Sequence, residues 1–140
     1  MYKDIKFKKI NWFQKLSPQM REVKALTKSD TIYLSDDLYA EVMSGKPSVY
    51  VQGIIEHEKV HMQRKQEMGA CMFKLKYSFS PQFRLREELL AETARFSFLK
   101  SKGEKINLED RARKMSGFMY FWMISYTEAL KLLEDLWENC

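Results

Sequence analysis

The sequence predicts one small α+β domain spanning residues 1–140, in which an N-terminal β-hairpin or small sheet precedes a mostly helical bundle. A length of 140 residues is near the commonest size of a single domain. An apolar fraction of 45% is ordinary for a globular protein and too high for a disordered one. The strand-like segments precede the helical ones, which is the order typical of an α+β fold.

The strands are predicted before residue 36. REVKALT (21–27) and TIYLS (31–35) have strand-like composition, and the turn-forming triplet KSD separates them. These two segments therefore predict a hairpin or a pair of neighbouring strands.

Start and stop signals divide the remainder of the chain into helices. Ser35 or Asp36 can cap the first helix, and Gly45 ends it. Ser80 and Pro81 form the strongest start signal, because serine caps a helix and proline suits its first position. The predicted helices cover residues 36–45, 48–69, 71–78, 81–102, 108–121 (capped by Asn107) and a last one from Ser125 or Thr127 to about Trp137.

The charge balance gives weak support for a nucleic-acid partner. Lys and Arg number 24 against 19 Asp and Glu, which leaves a net charge of +5. The basic residues are spread along the chain without a block of five or more, as on an ordinary solvated surface.

The cysteine and apolar patterns indicate a cytoplasmic protein. Cys71 and Cys140 provide no disulfide framework and suit a reducing compartment. No apolar run has the length of a transmembrane helix, and the N-terminal segment lacks the apolar region of a secretory signal. We therefore expect no membrane partner, and the sequence leaves the oligomeric state open.

The segment IIEHEKVH (54–61) holds both histidines of the chain, His57 and His61. Residues four apart share one face of a helix, so both rings can point at one ion. Glu58 is too close to His57 to be a ligand with good geometry, but it can reach a water held by that ion. HEKVH fills the HExxH pattern, in which zinc lowers the pKa of a bound water to about 7 and the glutamate moves its proton.

The alternative is that this pattern arose by chance, which we expect roughly once in several hundred chains of this length. Its context argues against chance, since the motif lies on a predicted helix and no other histidine is present. The motif also follows an apolar lead-in formed by Val49, Val51, Ile54 and Ile55.

A third ligand has to be a carboxylate or a cysteine, because no third histidine exists and a catalytic zinc usually takes three protein ligands. Within the helix predicted over residues 81–102, the segment 85–99 offers Glu92 within an apolar stripe and Glu88 on its flank. The stripe consists of Leu85, Leu89, Phe96 and Leu99. Glu87 is predicted to face the opposite side with Ala91, Ala94 and Phe98.

A carboxylate in an apolar stripe is costly unless it is paired or bound to a metal. The helical spacing leaves both explanations open. Glu88 can pair with Arg84 four residues earlier, and Glu92 can pair with Arg95 three residues later.

HEKVH followed by Glu88-Leu-Leu-Ala-Glu92 resembles the gluzincins, a division of the zincin metallopeptidases whose downstream helix carries Glu-x-x-x-Asp. The resemblance implies that Glu88 is the third zinc ligand and that Glu92, which replaces the usual Asp, braces His57. The 26 residues between His61 and Glu88 are close to the separation in such folds. A carboxylate on a ligand histidine fixes the ring's tautomer and strengthens the ligand.

Over residues 30–130 the order of elements also resembles small zinc peptidases encoded by bacteriophages and the minimal stand-alone gluzincins. For a phage-encoded protein the expected location is the cytoplasm of the host cell. The resemblance implies that TIYLS is an edge strand that pairs with an extended substrate. It also implies a Tyr or His that stabilises the oxyanion, for which Tyr120 and Tyr126 are the candidates. Both tyrosines lie in an aromatic run that is more typical of a core, in which a tyrosine hydroxyl is usually satisfied by a hydrogen bond.

The function expected from the sequence is that of a zinc metallopeptidase acting on a peptide or protein substrate. One alternative is a binding or structural module that holds zinc but is inactive or latent. A second alternative is a zinc peptidase that acts on DNA-bound proteins, and its basis is the net charge of +5 alone.

Overall fold

The computed structural model describes residues 2–11 and 23–140. Within these ranges a small sheet precedes a set of helices, which confirms the predicted α+β class. The elements are β1 (Lys6–Lys9), β2 (Ala25–Lys28), β3 (Thr31–Leu34), α1 (Asp36–Met43), α2 (Val49–Met68), α3 (Ala70–Phe79), α4 (Pro81–Ser101), α5 (Leu108–Met115), a 3₁₀ turn (Phe118–Tyr120) and α6 (Tyr126–Asn139).

The predicted hairpin is confirmed where it lies within the described residues. β2 and β3 pair antiparallel, with Leu26 opposite Tyr33. Ser29 in the connecting turn has a φ of 56°. The first two residues of the predicted first strand, at positions 21 and 22, lie outside the described residues.

The structure adds a strand that the sequence did not indicate, and it thereby corrects the role expected for TIYLS. β1 pairs in parallel with β3, so the strand order is β1-β3-β2. β1 has the sequence KFKK, in which Phe7 is the one apolar residue and is half-buried. The alternation of apolar and polar residues that usually indicates a strand is therefore missing. Because β3 is paired on both sides, it has no free edge for a substrate, and the expectation for TIYLS was wrong.

The caps predicted at Ser80 and Asn107 are confirmed, and Ser48, the first residue of the predicted second helix, also acts as a cap. The side chains of Ser48, Ser80 and Asn107 each accept a hydrogen bond from a backbone N–H in the first turn of α2, α4 and α5. Pro81 occupies the first position of α4, as predicted.

The helix predicted over residues 108–121 ends earlier than expected, at Met115. The chain turns at Gly117, where an added Cβ atom would meet the Arg113 carbonyl oxygen at 2.9 Å. Phe121 and Trp122 then have left-handed φ angles of 54° and 48°, which are costly for bulky residues. The aromatic run is therefore a turn and not the continuation of a helix. Phe118, Phe121 and Trp122 are exposed, whereas Tyr120 packs against the second apolar cluster.

The helices α2 and α4 pack directly against each other and position the motif. An added Cβ at Gly53 would lie 3.2 Å from Leu99, so glycine permits this close approach. The two helices separate two apolar clusters, one between the sheet and α2 and the other between α4, α5 and α6. The members include Ile32, Leu34, Val51 and Ile55 in the first, and Phe96, Met115 and Leu133 in the second.

A bidentate ion pair joins α2 to α4 at one end of this interface. Arg64 donates from two nitrogens to the Glu87 carboxylate, at 2.9 and 3.0 Å. The Glu87 side chain is fully buried. Ala91, which was predicted to share its face of α4, is also buried, so the side opposite the apolar stripe is packed as well. No local pattern in the chain indicates this pairing, because Arg64 and Glu87 are 23 residues apart.

We expect Arg64→Met to destabilise the protein by about 3 kcal/mol, because the Glu87 charge would remain buried without its partner. Chemical denaturation monitored by circular dichroism measures the loss. Arg86→Met is the matched control, since Arg86 is exposed and its Nε lies 4.0 Å from the same carboxylate. Equal stability of the two variants would contradict a supporting role for the Arg64 pair.

Candidate metal centre

Three donor side chains converge where α2 meets α4. The Nε2 atoms of His57 and His61 are 3.1 Å apart. Glu88 Oε2 lies 3.3 Å from His57 Nε2, and Glu88 Oε1 lies 3.2 Å from His61 Nε2. Ligands placed 2.0–2.1 Å from one ion in a tetrahedron are separated by about 3.3 Å, so the observed spacing fits a single small cation. His57, His61 and Glu88 therefore form a group that could hold a metal ion.

The burial of this group supports the same conclusion. Glu88 is 2% exposed, and its Oε2 atom has no hydrogen-bond partner among the described residues. A buried carboxylate oxygen without a donor is costly, whereas a bound cation would satisfy it.

A second carboxylate, that of Glu92, contacts the other ring nitrogen of His57. Its Nδ1 lies 3.2 Å from Glu92 Oε1, on the side of the ring away from Glu88. The same Glu92 oxygen accepts a hydrogen bond from Arg111 of α5. Glu92 therefore contacts the ring nitrogen of His57 that does not face the other two donors, where a carboxylate can fix the tautomer of the ring.

The arginine partners differ from those that helical spacing suggested. Arg84 donates to the backbone carbonyl oxygens of Tyr77, Ser78 and Tyr120 and makes no ion pair with Glu88. The direct partner of Glu92 is Arg111. Neither predicted pairing within α4 therefore accounts for the buried carboxylates.

The charges of this cluster shift its pKa values. Burial alone lowers the pKa of His57, but Glu92 and Glu88 outweigh burial and raise it to about 10. Burial alone raises the pKa of Glu92, but Arg111 and His57 outweigh it and lower that pKa to about 2. The pKa of Glu88 is also held well below its usual range, because the two histidines outweigh the cost of burial. Without metal, a proton on His57 thus offsets the carboxylate charges.

The metal-free protein is therefore expected to be most stable in mildly acidic solution. The raised pKa of His57 contributes stability that is complete below pH 6.5 and is lost as the pH rises towards about 10. The lowered pKa of Glu92 contributes stability that is present above about pH 4.5 and is lost as the pH falls towards about 2. Thermal unfolding in the presence of a chelator tests this profile.

With metal bound, the stability of the protein should rise and not fall as the pH increases above neutral. The reason is that a metal ion binds the unprotonated imidazole, so its binding tightens as the pH rises. An unfolding temperature that is unchanged between pH 6 and pH 9, both with and without metal, would contradict this description of the cluster.

Glu58 lies on α2 between the two histidines and is 7% exposed. No residue of the described ranges donates a hydrogen bond to its carboxylate or pairs with it. The nearby cation is Lys65, whose ammonium group donates to Thr27 of β2 at 2.6 and 2.7 Å. The charge of Glu58 acts on Lys65 and on Tyr77, which places its carboxylate near both, and Lys65 ties the edge strand β2 to α2.

Two tyrosines approach the donor group, and one of them was not foreseen. The Tyr77 hydroxyl of α3 donates to Glu88 Oε1 at 2.5 Å. Tyr120 lies close enough to Glu88 for that carboxylate, together with burial, to raise its pKa. Burial and Glu88 raise the pKa of Tyr77 in the same way, so both hydroxyls remain protonated donors at neutral pH. Tyr126 is exposed at the first turn of α6 and makes no contact with the donor group.

Sequence reasoning missed Tyr77 and Arg111 because each reaches the site through tertiary packing. Tyr77 lies in KLKYSF, where the two lysines suggest a solvent-exposed helix and do not indicate that the Tyr77 hydroxyl makes a buried contact. Arg111 lies on the strongly amphipathic α5, and only its burial among charged residues distinguishes it. A tyrosine four residues after Phe73, on the same helical face, was the one available signal.

We expect Tyr77→Phe to weaken metal binding by about tenfold or more, because it removes a hydrogen bond that orients the Glu88 carboxylate. Competition with a chromophoric chelator measures the affinity. Tyr126→Phe is the control and should bind metal as the wild type does. If the two variants have the same affinity, Tyr77 does not support the donor group.

Comparisons with known protein families, with curated proteins and with solved structures gave no match to this chain. Within the described residues, no helix is both long and apolar enough to span a membrane. The case for a function therefore depends on the geometry of the site.

Proposed function

We propose that the protein is a zinc-dependent metallopeptidase in which His57, His61 and Glu88 hold the metal. The observation that carries the proposal is the convergence of two imidazole nitrogens and a carboxylate within 3.3 Å, beside an unpaired glutamate on the same helix. Two histidines and one carboxylate are a donor set that catalytic zinc sites use. When bound, zinc supplies Lewis acidity and lowers the pKa of water to about 7.

Glu58 is the general base of this proposal. It follows His57 directly, so its side chain would face a water on the ion and not the ion itself, and its charge acts on Tyr77, the partner of Glu88. A carboxylate without a competing donor can take a proton from the attacking water and later deliver it to the leaving nitrogen. The lack of an ion-pair partner among the described residues supports this role.

The surrounding residues orient and stabilise the reacting groups. Arg111 and Glu92 fix the His57 ring, and Tyr77 fixes the Glu88 carboxylate. Tyr120 carries a protonated hydroxyl near the same carboxylate and can donate to the negative oxygen that develops during hydrolysis. Tyr126 has no comparable support, because its side chain is exposed and makes no contact with the donor group.

A latent or non-catalytic zinc module is the second candidate, and the burial of the site favours it. His57, Glu58 and His61 are each less than 10% exposed. Two surface cavities, of about 420 and 320 Å³, are lined by none of these residues and not by Glu88. A partner or a conformational change would then open the site to substrate.

The proposal is tested by incubating the zinc-loaded protein with an unfolded protein and a mixed peptide library, with product peptides measured by mass spectrometry. We expect cleavage that a chelator stops and added zinc restores. Tight zinc binding without any cleavage, also after limited trimming of either terminus, would contradict the peptidase and favour the zinc module.

A further inference from the structure

The three-stranded sheet packs one face against the helices and turns the other face away from both apolar clusters. Ile32 and Leu34 of the central strand β3 are fully buried in the cluster between the sheet and α2. Because side chains alternate along a strand, Tyr33 lies on the opposite, outer face. Tyr33 is half-buried and belongs to neither cluster, so an aromatic ring lies at the centre of the outer face without a role in the core.

The strand pairing determines which residues surround Tyr33. Lys8 of β1 and Leu26 of β2 are its direct neighbours across the sheet. Lys24 comes immediately before β2 and, two residues from Leu26, lies on the same face. The next row across the sheet consists of Lys6, Thr31 and Lys28. We name the exposed lysines Lys6, Lys8, Lys24 and Lys28, together with Tyr33, the basic face.

The basic face carries more positive charge than the acidic residues beside it neutralise. Lys6 lies 2.8 Å from Asp30, and Lys24 lies 3.7 Å from Asp37. All four side chains are more than half exposed, so both pairs are weak and a polyanion can displace their carboxylates. Among the described residues, no acidic side chain pairs with the other two lysines. The surface is therefore complementary to an anionic partner.

The arrangement of the basic face also fits the shape of one class of polyanion. Neighbouring strands are about 4.8 Å apart, so the lysines of β1 and β2 flank Tyr33 at about 10 Å from each other. Proteins that bind single-stranded nucleic acid combine cations, which contact the phosphates, with aromatic rings, on which the bases stack. An open sheet face that carries such a ring is one of the scaffolds that bind single strands in this way.

We propose that the basic face binds single-stranded nucleic acid, with the lysines on phosphates and Tyr33 stacked on a base. The inference goes beyond the proposed peptidase and is independent of it, because the basic face and α2 lie on opposite sides of the sheet. A membrane surface is disfavoured, since binding there requires apolar side chains that insert, whereas Leu26 and Tyr33 are half-buried between longer lysines. A duplex is disfavoured because its bases are already stacked and cannot reach the ring.

The fluorescence anisotropy of labelled oligothymidylate, oligouridylate and a DNA duplex of equal length measures binding by the full chain. We expect both single strands to bind more tightly than the duplex. The logarithm of the binding constant should fall with the logarithm of the salt concentration with a slope of about −3, because each phosphate contact to a single strand contributes about −0.7 and the face offers one lysine for each of four contacts.

The contribution of the lysines is tested with a double variant and a control that has the same net charge. Lys8→Gln/Lys28→Gln should weaken oligothymidylate binding by about tenfold and make the salt slope shallower by about 1.4, since two phosphate contacts are lost. Lys105→Gln/Lys131→Gln is the control, because both of these lysines are exposed and lie outside the sheet. It should leave the affinity and the slope unchanged.

The contribution of the ring is tested separately. Tyr33→Leu should weaken binding by about tenfold and leave the salt slope unchanged, because it removes a stacking surface and no charge. Tyr50→Leu is the control, since Tyr50 is an exposed tyrosine on α2. Circular dichroism of each variant confirms that the fold is retained.

Four results would overturn the inference. Tighter binding of the duplex, or an equal loss in the lysine control, would indicate attraction by net charge alone. Full binding by Tyr33→Leu would remove the stacked base. Binding to phosphatidylserine vesicles but to no oligonucleotide would assign the face to a membrane. Self-association of Lys8→Gln/Lys28→Gln, with no oligonucleotide bound by the wild type, would mean that these lysines only protect the sheet edges. None of these measurements uses peptide cleavage, so their failure would leave the proposed function standing.

Discussion

Glu58→Gln is expected to retain zinc and to lose peptide hydrolysis by about 10²-fold or more, the usual scale for removing a general base. The substitution keeps the size of the side chain and removes its basicity. Because Glu58 is not one of the three converging donors, the metal site should remain intact. Initial rates on an unfolded protein substrate measure the loss, and elemental analysis confirms the metal.

Glu56→Gln provides the matched control for that experiment. Glu56 lies on the same helix but pairs with Lys59 at the surface, 2.9 Å from its ammonium group. Its replacement should leave hydrolysis unchanged. If Glu58→Gln cleaves as fast as the wild type, the proton transfer assigned to Glu58 is wrong.

His61→Ala is expected to lose the metal. The two donors that remain, His57 and Glu88, are fewer than the three protein ligands that a catalytic zinc usually has. The variant should also unfold at a lower temperature than the zinc-loaded wild type, since a ligand that binds only the folded state stabilises it. Gln63→Ala, an exposed substitution on the same helix, should leave both the zinc content and the unfolding temperature unchanged.

The two glutamates of α4 should behave differently in the same assay. Glu88→Gln is expected to weaken zinc binding more than Glu92→Gln, because Glu88 contacts both Nε2 atoms and Glu92 contacts only the Nδ1 side of His57. The reverse order would exchange the ligand and its neighbour. An unchanged affinity in both variants would place the third ligand elsewhere.

The sequence predicted those parts of the fold that depend on local signals. Ser80 and Asn107 marked helix starts because a capping side chain acts within one turn. The spacing of His57 and His61 placed both rings on one face, since that relation is fixed by helix geometry.

The errors came from features that depend on distant contacts. β1 and the central position of β3 require a parallel partner more than 20 residues away, which local composition does not encode. Glu87 is buried only because Arg64 reaches it from another helix. Tyr77 reaches Glu88 only because α3 folds back over α4. A helical pattern shows which residues share a face, but the packing of the helices decides which face is buried.

The metal content of the purified protein tests the central claim most directly. The protein should be prepared without added metal, analysed for all transition metals and examined by zinc X-ray absorption. The account predicts one zinc per chain, with two imidazole nitrogens near 2.0–2.1 Å and oxygen ligands completing the shell. Absence of zinc together with no tight uptake on addition, or iron in its place, would contradict the account.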